Sequence, residues 1–130
     1  MEAATSPSSA EAGLARLRDP WIQACLTRDW DALLSMCTDD IVFMPHGMPS
    51  VEGGQVRPWL EDFPTIKEMS WDLGVVEEAG DIAFARGPVR QVLEMDGETV
   101  VMDGKYCDLL RREMDGTWRL AVVIWNQNTA

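Results

Sequence analysis

The stretch that decides the fold is Gly104–Asn128, GKYCDLLRREMDGTWRLAVVIWNQN. Two runs rich in Leu, Val, Ile and aromatic residues flank Asp115 and Gly116. Asp-Gly between apolar runs is a strong hairpin signal, because both residues tolerate the positive φ of a type I′ turn. Successive side chains on a strand point to opposite faces. Tyr106, Asp108 and Leu110 therefore share one face, and Cys107, Leu109 and Arg111 the other. On the last strand Ala121, Val123 and Trp125 oppose Val122, Ile124 and Asn126. Both faces being apolar, one is expected to line an interior and the other to pack on helices or a partner.

Upstream, Asp96-Gly97 and the AGD of 79–81 mark two more turns. The pattern predicts four strands in an antiparallel meander, at about 67–79, 82–95, 98–112 and 117–128. A further Asp-Gly pair, Asp103 and Gly104, falls within a strand and predicts a bulge or bend there. Before the meander the texture is helical. Leu14, Leu17, Trp21 and Cys25 recur at helical intervals, with Pro20 marking either a kink or a fresh start capped by Asp19. Trp30, Leu33, Leu34 and Cys37 repeat the pattern behind Asp29, an N-cap type. Ile41–Met44 reads as a strand, and EGGQVRPWLEDF (52–63) as a third short helix that ends at Pro64. Residues 1–10, small and Ser/Pro-rich, predict a flexible tail, and 11–130 a single domain. The order predicts an α+β fold with helices against one face of an antiparallel sheet.

Eleven basic against twenty-two acidic side chains give a net charge of -11. Phosphate backbones and anionic lipid repel such a surface, so neither nucleic acid nor membrane is an expected partner. No window has the roughly 18 uncharged apolar residues of a membrane span. The opening MEAATSPSSAEAG has neither the cationic start nor the apolar core of a secretion signal, so cytoplasmic residence is expected. Cys25, Cys37 and Cys107 are widely spaced in apolar runs, which predicts reduced, packed thiols rather than disulfides. One histidine, His46, cannot build a multi-histidine metal site. The chain also lacks the glycine loops and the nucleophile elbow of phosphate, dinucleotide and serine-hydrolase sites. No metal or cofactor is expected.

The element order, together with RDWDALLSMCTDDIVFMPHG (28–47), EGGQVRPWL (52–60) and the closing hairpin, resembles the nuclear-transport-factor-2-like superfamily over roughly residues 14–128. Within it the chain is most similar to the SnoaL-like and ketosteroid-isomerase-like groups. The resemblance implies a cystatin-like cone, a strongly curved antiparallel sheet wrapped around N-terminal helices, with an apolar pocket and a homodimer. It places Asp108 where the isomerases keep a protonated aspartate. Trp21 stands at the position of their tyrosine and Pro45 at that of their base, one residue before His46. Trp125 matches an aromatic of their pocket.

Two titratable residues follow as candidates. His46, on the loop after the first strand, has a side chain suited to proton transfer near neutrality, as a base or simply as a surface residue. Asp108, if its face is the inner one, becomes a protonated donor to a carbonyl or oxyanion; if outward, it pairs with an arginine such as Arg90. Trp21, Met44, Tyr106, Trp125 and Asn126 are candidate ligand contacts. For the aromatics the alternative is a plain core role, and for Asn126 a strand-end cap. Asp103 and Lys105 fall near the expected rim, and Glu52, after the His46 loop, is a candidate second acid or a solvated loop residue. The expected function is cofactor-independent acid/base chemistry on a small apolar carbonyl-containing or related molecule: isomerisation, polyketide-type cyclisation, dehydration or epoxide opening. A non-catalytic ligand-binding or dimerisation domain is the alternative.

Overall fold

The computed structural model describes residues 9–129. Three helices, α1 (Ser9–Thr27), α2 (Trp30–Ser35) and α3 (Val56–Glu61), accompany seven strands. These are β1 (Cys37–Met44), β2 (Val51–Glu52), β3 (Thr65–Trp71), β4 (Val75–Ala79), β5 (Ile82–Met95), β6 (Glu98–Arg112) and β7 (Trp118–Gln127). A single 3-10 turn, Gly53–Gln55, leads into α3.

The spacing of Ala10, Leu14, Trp21, Ala24 and Cys25 puts all five on one buried face of α1. Pro20 lies inside this helix on its exposed side, so α1 is continuous and does not restart at Asp19. Of the expected tail, residues 1–8 lie outside the described residues. Ser9 and Ala10 already belong to α1, and the Ala10 N–H donates to Glu78 Oε1 of β4 at 2.9 Å. Asp29 caps α2 as its type suggests, its Oδ1 accepting from the Ala32 N–H at 3.1 Å. No helix among the described residues is long and apolar enough to cross a membrane.

The strands form one curled sheet in the order β2-β1-β7-β6-β5-β3, with β4 also paired to β5. The meander is antiparallel as expected, but β1 joins β7 in parallel, so the sheet is mixed. The turn residues Asp96 and Gly97 both have positive φ, 53° and 80°, as a two-residue hairpin of primed type requires. The expected strand at 67–79 is broken at Asp72–Gly74. Its halves share one edge of β5, with β3 on Glu94–Val89 and β4 on Arg86–Ile82. Gly74 sits at the break because its backbone presses against the Arg86 carbonyl, where no Cβ fits. From Met102 to Arg111 of β6 burial alternates without interruption, so Met102, Gly104, Tyr106, Asp108 and Leu110 share the buried, concave face. Ala83, Ala85, Val89, Gln91 and Leu93 of β5 join them on the concave side.

Gly104 is not at a bulge: the β5–β6 register passes through Val89↔Gly104 without a shift. Glycine is required there because a Cβ would collide with the Asn126 carbonyl oxygen of β7. Gly104→Ala is therefore expected to cost about 2 kcal/mol through overpacking. Gly54→Ala, with open space around it, is expected to stay within about 0.5 kcal/mol of the parent. Urea unfolding midpoints of the two variants check this.

Candidate functional site

Between the concave sheet and the helices lies a cavity of about 70 Å³. An apolar cavity that holds benzene measures on the order of 150 Å³, so a ring fits here only by reaching into the mouth. Five of the chain's six tryptophans line it: Trp21, Trp30, Trp59, Trp71 and Trp125. Trp59, on α3, meets Phe43 at 5.1 Å, Phe63 at 5.4 Å and Trp125 at 6.2 Å between ring centroids. Trp59, Phe63, Met69 and Trp125 are only half-buried and form the rim.

Besides the indole N–H groups of the tryptophans, four side chains of this wall carry polar or ionisable groups: Cys25, Gln91, Tyr106 and Asp108. Asp108 is 3% exposed. Its Oδ1 accepts the Ile124 N–H at 3.1 Å, bridging β6 to β7. Burial holds its carboxyl well above the usual carboxylate range, and the single backbone hydrogen bond offsets only part of this. The alternative of an Asp108–Arg90 pair does not arise, because Arg90 faces outward and pairs with Asp103 at 3.4 Å. Tyr106 spends its hydroxyl on the Asp72 carbonyl at 2.7 Å, and burial pushes the phenol up to about 12. The Cys25 thiol is pushed up to about 12 by the same cause. Asp108 is thus the cavity group with a carboxyl proton to give. Gln91 is 8% exposed; its Nε2 donates to Met69 Sδ at 3.9 Å and its Oε1 has no partner.

The structure brings Trp21, Tyr106, Trp125 and Asp108 together around one space. It does not bring His46 there. His46 is exposed on the β1–β2 loop, and its Nδ1 accepts the Gln127 N–H at 3.1 Å, which fixes a tautomer with the proton on Nε2. Met44, at the outer end of β1, is 37% exposed and outside the cavity wall. Asn126 is exposed on the convex face, as alternation from Trp125 dictates. Glu52, Asp103 and Lys105 are exposed as well, and Lys105 donates to Asn128 at 3.0 Å. Of the cysteines, Cys25 and Cys37 are buried while Cys107 is exposed, against the expectation of three packed thiols. It sits at an odd position of β6, on the convex side. Among the described residues no three His, Cys, Asp or Glu side chains are grouped to hold a metal ion.

Sequence reading missed Gln91, Trp59, Phe63, Met69 and Trp71. Gln91 shares its strand parity with Val89 and Leu93, and a lone amide on an otherwise apolar parity is the signal that points to it.

A family profile described as the SnoaL-like domain matches residues 19–121. No curated protein matches the sequence. Among solved structures, a ketosteroid isomerase-like protein from Erwinia carotovora atroseptica is similar, with TM-score 0.73, 23% identity, and coverage of 92% of this chain and 94% of that one. A candidate dehydratase of the NTF2-like family from Streptomyces avermitilis aligns with TM-score 0.69 and 19% identity over 93% and 96% of the two chains. A candidate association domain of a calcium/calmodulin-dependent kinase II from Exiguobacterium sibiricum aligns with TM-score 0.81 and 12% identity over 98% and 99%. At these identities the likeness is one of fold.

The buried carboxyl has a thermodynamic signature. Above about pH 4, where a carboxylate of the unfolded chain ionises, folded Asp108 still holds its proton. The unfolded state then binds fewer protons, so rising pH lowers stability up to the raised folded value, by about 1.4 kcal/mol per pH unit. Asp108→Asn keeps the shape of the protonated acid and an acceptor for Ile124. It is expected to match the parent near pH 4 and to exceed it by a margin that grows with pH until the raised folded value is reached, measured by urea unfolding across neutral pH. A parent-minus-variant difference independent of pH would count against a proton held on Asp108.

Proposed function

The chain belongs to the SnoaL-like domain family, and on that premise we propose that it is a small pocket enzyme that moves protons on a compact, largely apolar carbonyl compound. The single observation that carries the reading is Asp108: a carboxyl of raised pKa, buried in an aromatic-lined cavity, with one hydrogen bond to the backbone. Desolvation makes the acid form a hydrogen-bond donor to a carbonyl oxygen, and the ionised form a stronger base than an exposed carboxylate. One carboxyl suffices for a 1,3-shift. The acid gives its proton to the carbonyl oxygen, and the carboxylate so formed takes one from the carbon next to the carbonyl as the electron pair moves toward oxygen, which leaves the enol and restores the acid; the same exchange in reverse at a conjugated carbon completes the shift. No cofactor enters this balance. Isomerisation, aldol-type cyclisation and dehydration all begin with this step, and opening of an epoxide uses the acid form. His46, outside the cavity, has no place in the scheme.

Exchange of the protons beside the carbonyl of pentan-2-one and cyclopentenone in D₂O, followed by NMR, is the direct test. The parent is expected to accelerate exchange over buffer, and Asp108→Asn to lose the acceleration by about 10²-fold or more. Binding of the ketone with no acceleration by the parent would favour the non-catalytic ligand-binding reading, which the narrowness of the cavity supports.

The proposal includes a homodimer built on the convex face of the sheet. Ile82, Val101 and Leu109 expose 55%, 49% and 37% of their surfaces there, apolar points set among charged residues such as Arg90, Asp103 and Lys105. Leu109→Asp is expected to convert a dimer to a monomer in sedimentation equilibrium while leaving ketone binding unchanged.

A further inference from the structure

Of the buried side-chain atoms without a hydrogen-bond partner among the described residues, Thr38 Oγ1, Gln91 Oε1 and Trp118 Nε1, only the second belongs to a residue of the cavity wall. Gln91 stands between Met69 of β3 and Met102 of β6 in the ladder, and its amide meets the sulfur of the first. That contact orients the amide. A thioether accepts and cannot donate, so Nε2 belongs against the sulfur and Oε1 is the atom left over. The amide is more than nine-tenths buried, so bulk water does not satisfy the carbonyl as it would at the surface. Asp108 pairs across the ladder with Ala85, well along β5 from Gln91, and the curl of the sheet turns both side chains into the same cavity.

We propose that Gln91 is a specificity-determining residue whose Oε1 accepts a hydrogen bond from a hydroxyl of the bound molecule. This deepens the reading of the cavity as a carbonyl site and rests on it. The ligand class it selects is the hydroxylated ketone or enone, with its carbonyl at the Asp108 end and its hydroxyl at the Gln91 end. Plain ketones leave the amide carbonyl unmet and bind more weakly. Between the two polar points the wall is Val89 and the ring of Tyr106, whose hydroxyl is spent on the Asp72 carbonyl, which fits a hydrocarbon spacer.

The test uses ω-hydroxy methyl ketones of four to seven carbons, each matched with the ketone that carries a methyl in place of the hydroxyl. Dissociation constants come from NMR titration, with the Gln91 side-chain amide as one reporter. The parent is expected to prefer the hydroxylated member roughly tenfold at the best-fitting length. Gln91→Met, which keeps length and volume, and Gln91→Leu are expected to bring that ratio to about one through loss of the hydroxyl's partner. Both are also expected to unfold at or above the parent's temperature, since each removes an unmet buried carbonyl. Equal affinity for both members of every pair in the parent would overturn the inference while leaving the carbonyl site standing. So would a preference that survives in both variants, or a drop of several degrees in their unfolding temperature. Failure of the parent to bind any ketone would overturn the carbonyl site and the inference with it.

Discussion

The ladder between β5 and β6 runs without a shift from Met95↔Glu98 at the turn to Ile82↔Arg111 at its far end, and the cavity depends on that register. With a side-chain period of two, a slip of one residue would turn Asp108 out to water and Cys107 in. The register is held at the turn by Asp96 and Gly97, whose positive φ values match the twist of the flanking strands. It is held laterally by β7, which approaches so closely at Asn126 that position 104 has no room for a Cβ. The same lateral approach gives Asp108 its hydrogen bond, because Ile124 lies on β7 within reach of its Oδ1. Strand pairing thus sets both where the carboxyl points and how few partners it has.

That poverty of partners is expensive. A carboxyl and an amide carbonyl facing an aromatic cavity each carry a desolvation cost of about 1–3 kcal/mol when incompletely paired. Leucine or methionine at 91 and 108 would pack among Val89, Met69 and Leu110 without that cost. Elsewhere the chain mostly follows the ordinary rules: a cap where Asp29 predicts it, glycine at the positive-φ positions other than Arg28 and Asp96, apolar residues on the concave face. Thr38 Oγ1 and Trp118 Nε1 are buried without partners as well, but only at Gln91 and Asp108 does an incompletely paired group belong to the cavity wall, which marks those two positions as candidates for something besides folding.

Much of this was legible in the sequence, and the reason is periodicity. Asp-Gly pairs located two hairpins; alternation placed Tyr106, Asp108 and Leu110 on one face, and a resemblance supplied the curl. What alternation cannot supply is depth along the cone. Trp21 and Met44 were equal candidates in one dimension, but Trp21 lies on the face of α1 that packs against Trp71 at 5.8 Å, while Met44 lies where β1 leaves the sheet. His46 follows two residues later, and there the chain has already passed the rim. Gln91 was hidden for another reason. Its neighbours Val92 and Leu93 are both buried, so the strand shows no clean alternation just where the polar side chain turns inward. The break between β3 and β4 was equally invisible, since it follows from Gly74 meeting a backbone oxygen of a strand that comes later in the chain.

The walls of the cavity are not equally rigid, and this bears on what enters it. On the sheet side, Val89, Gln91, Tyr106 and Asp108 sit on paired strands whose displacement would break backbone hydrogen bonds in a row. On the other side Trp59 and Phe63 belong to or follow α3, a helix of six residues. Isolated helices that short are not stable in themselves, so α3 keeps its place through tertiary contacts. Its C-terminal end is tied by Arg28, whose guanidinium donates to the Phe63 and Glu61 carbonyls at 2.8 Å each. Arg28 itself occupies φ 58°, a left-handed conformation that a non-glycine residue adopts at some cost. Arg57 adds exposed ion pairs to Asp31 and Glu61, of the kind that contribute little. Enlarging a cavity of about 70 Å³ therefore costs least on the α3 side, by moving two aromatic rings and a few side-chain contacts rather than a ladder. On the proposed reading, the polar points that would recognise a ligand sit on the rigid wall and the rings that would admit it on the movable one, so that selectivity and access fall to different parts of the fold.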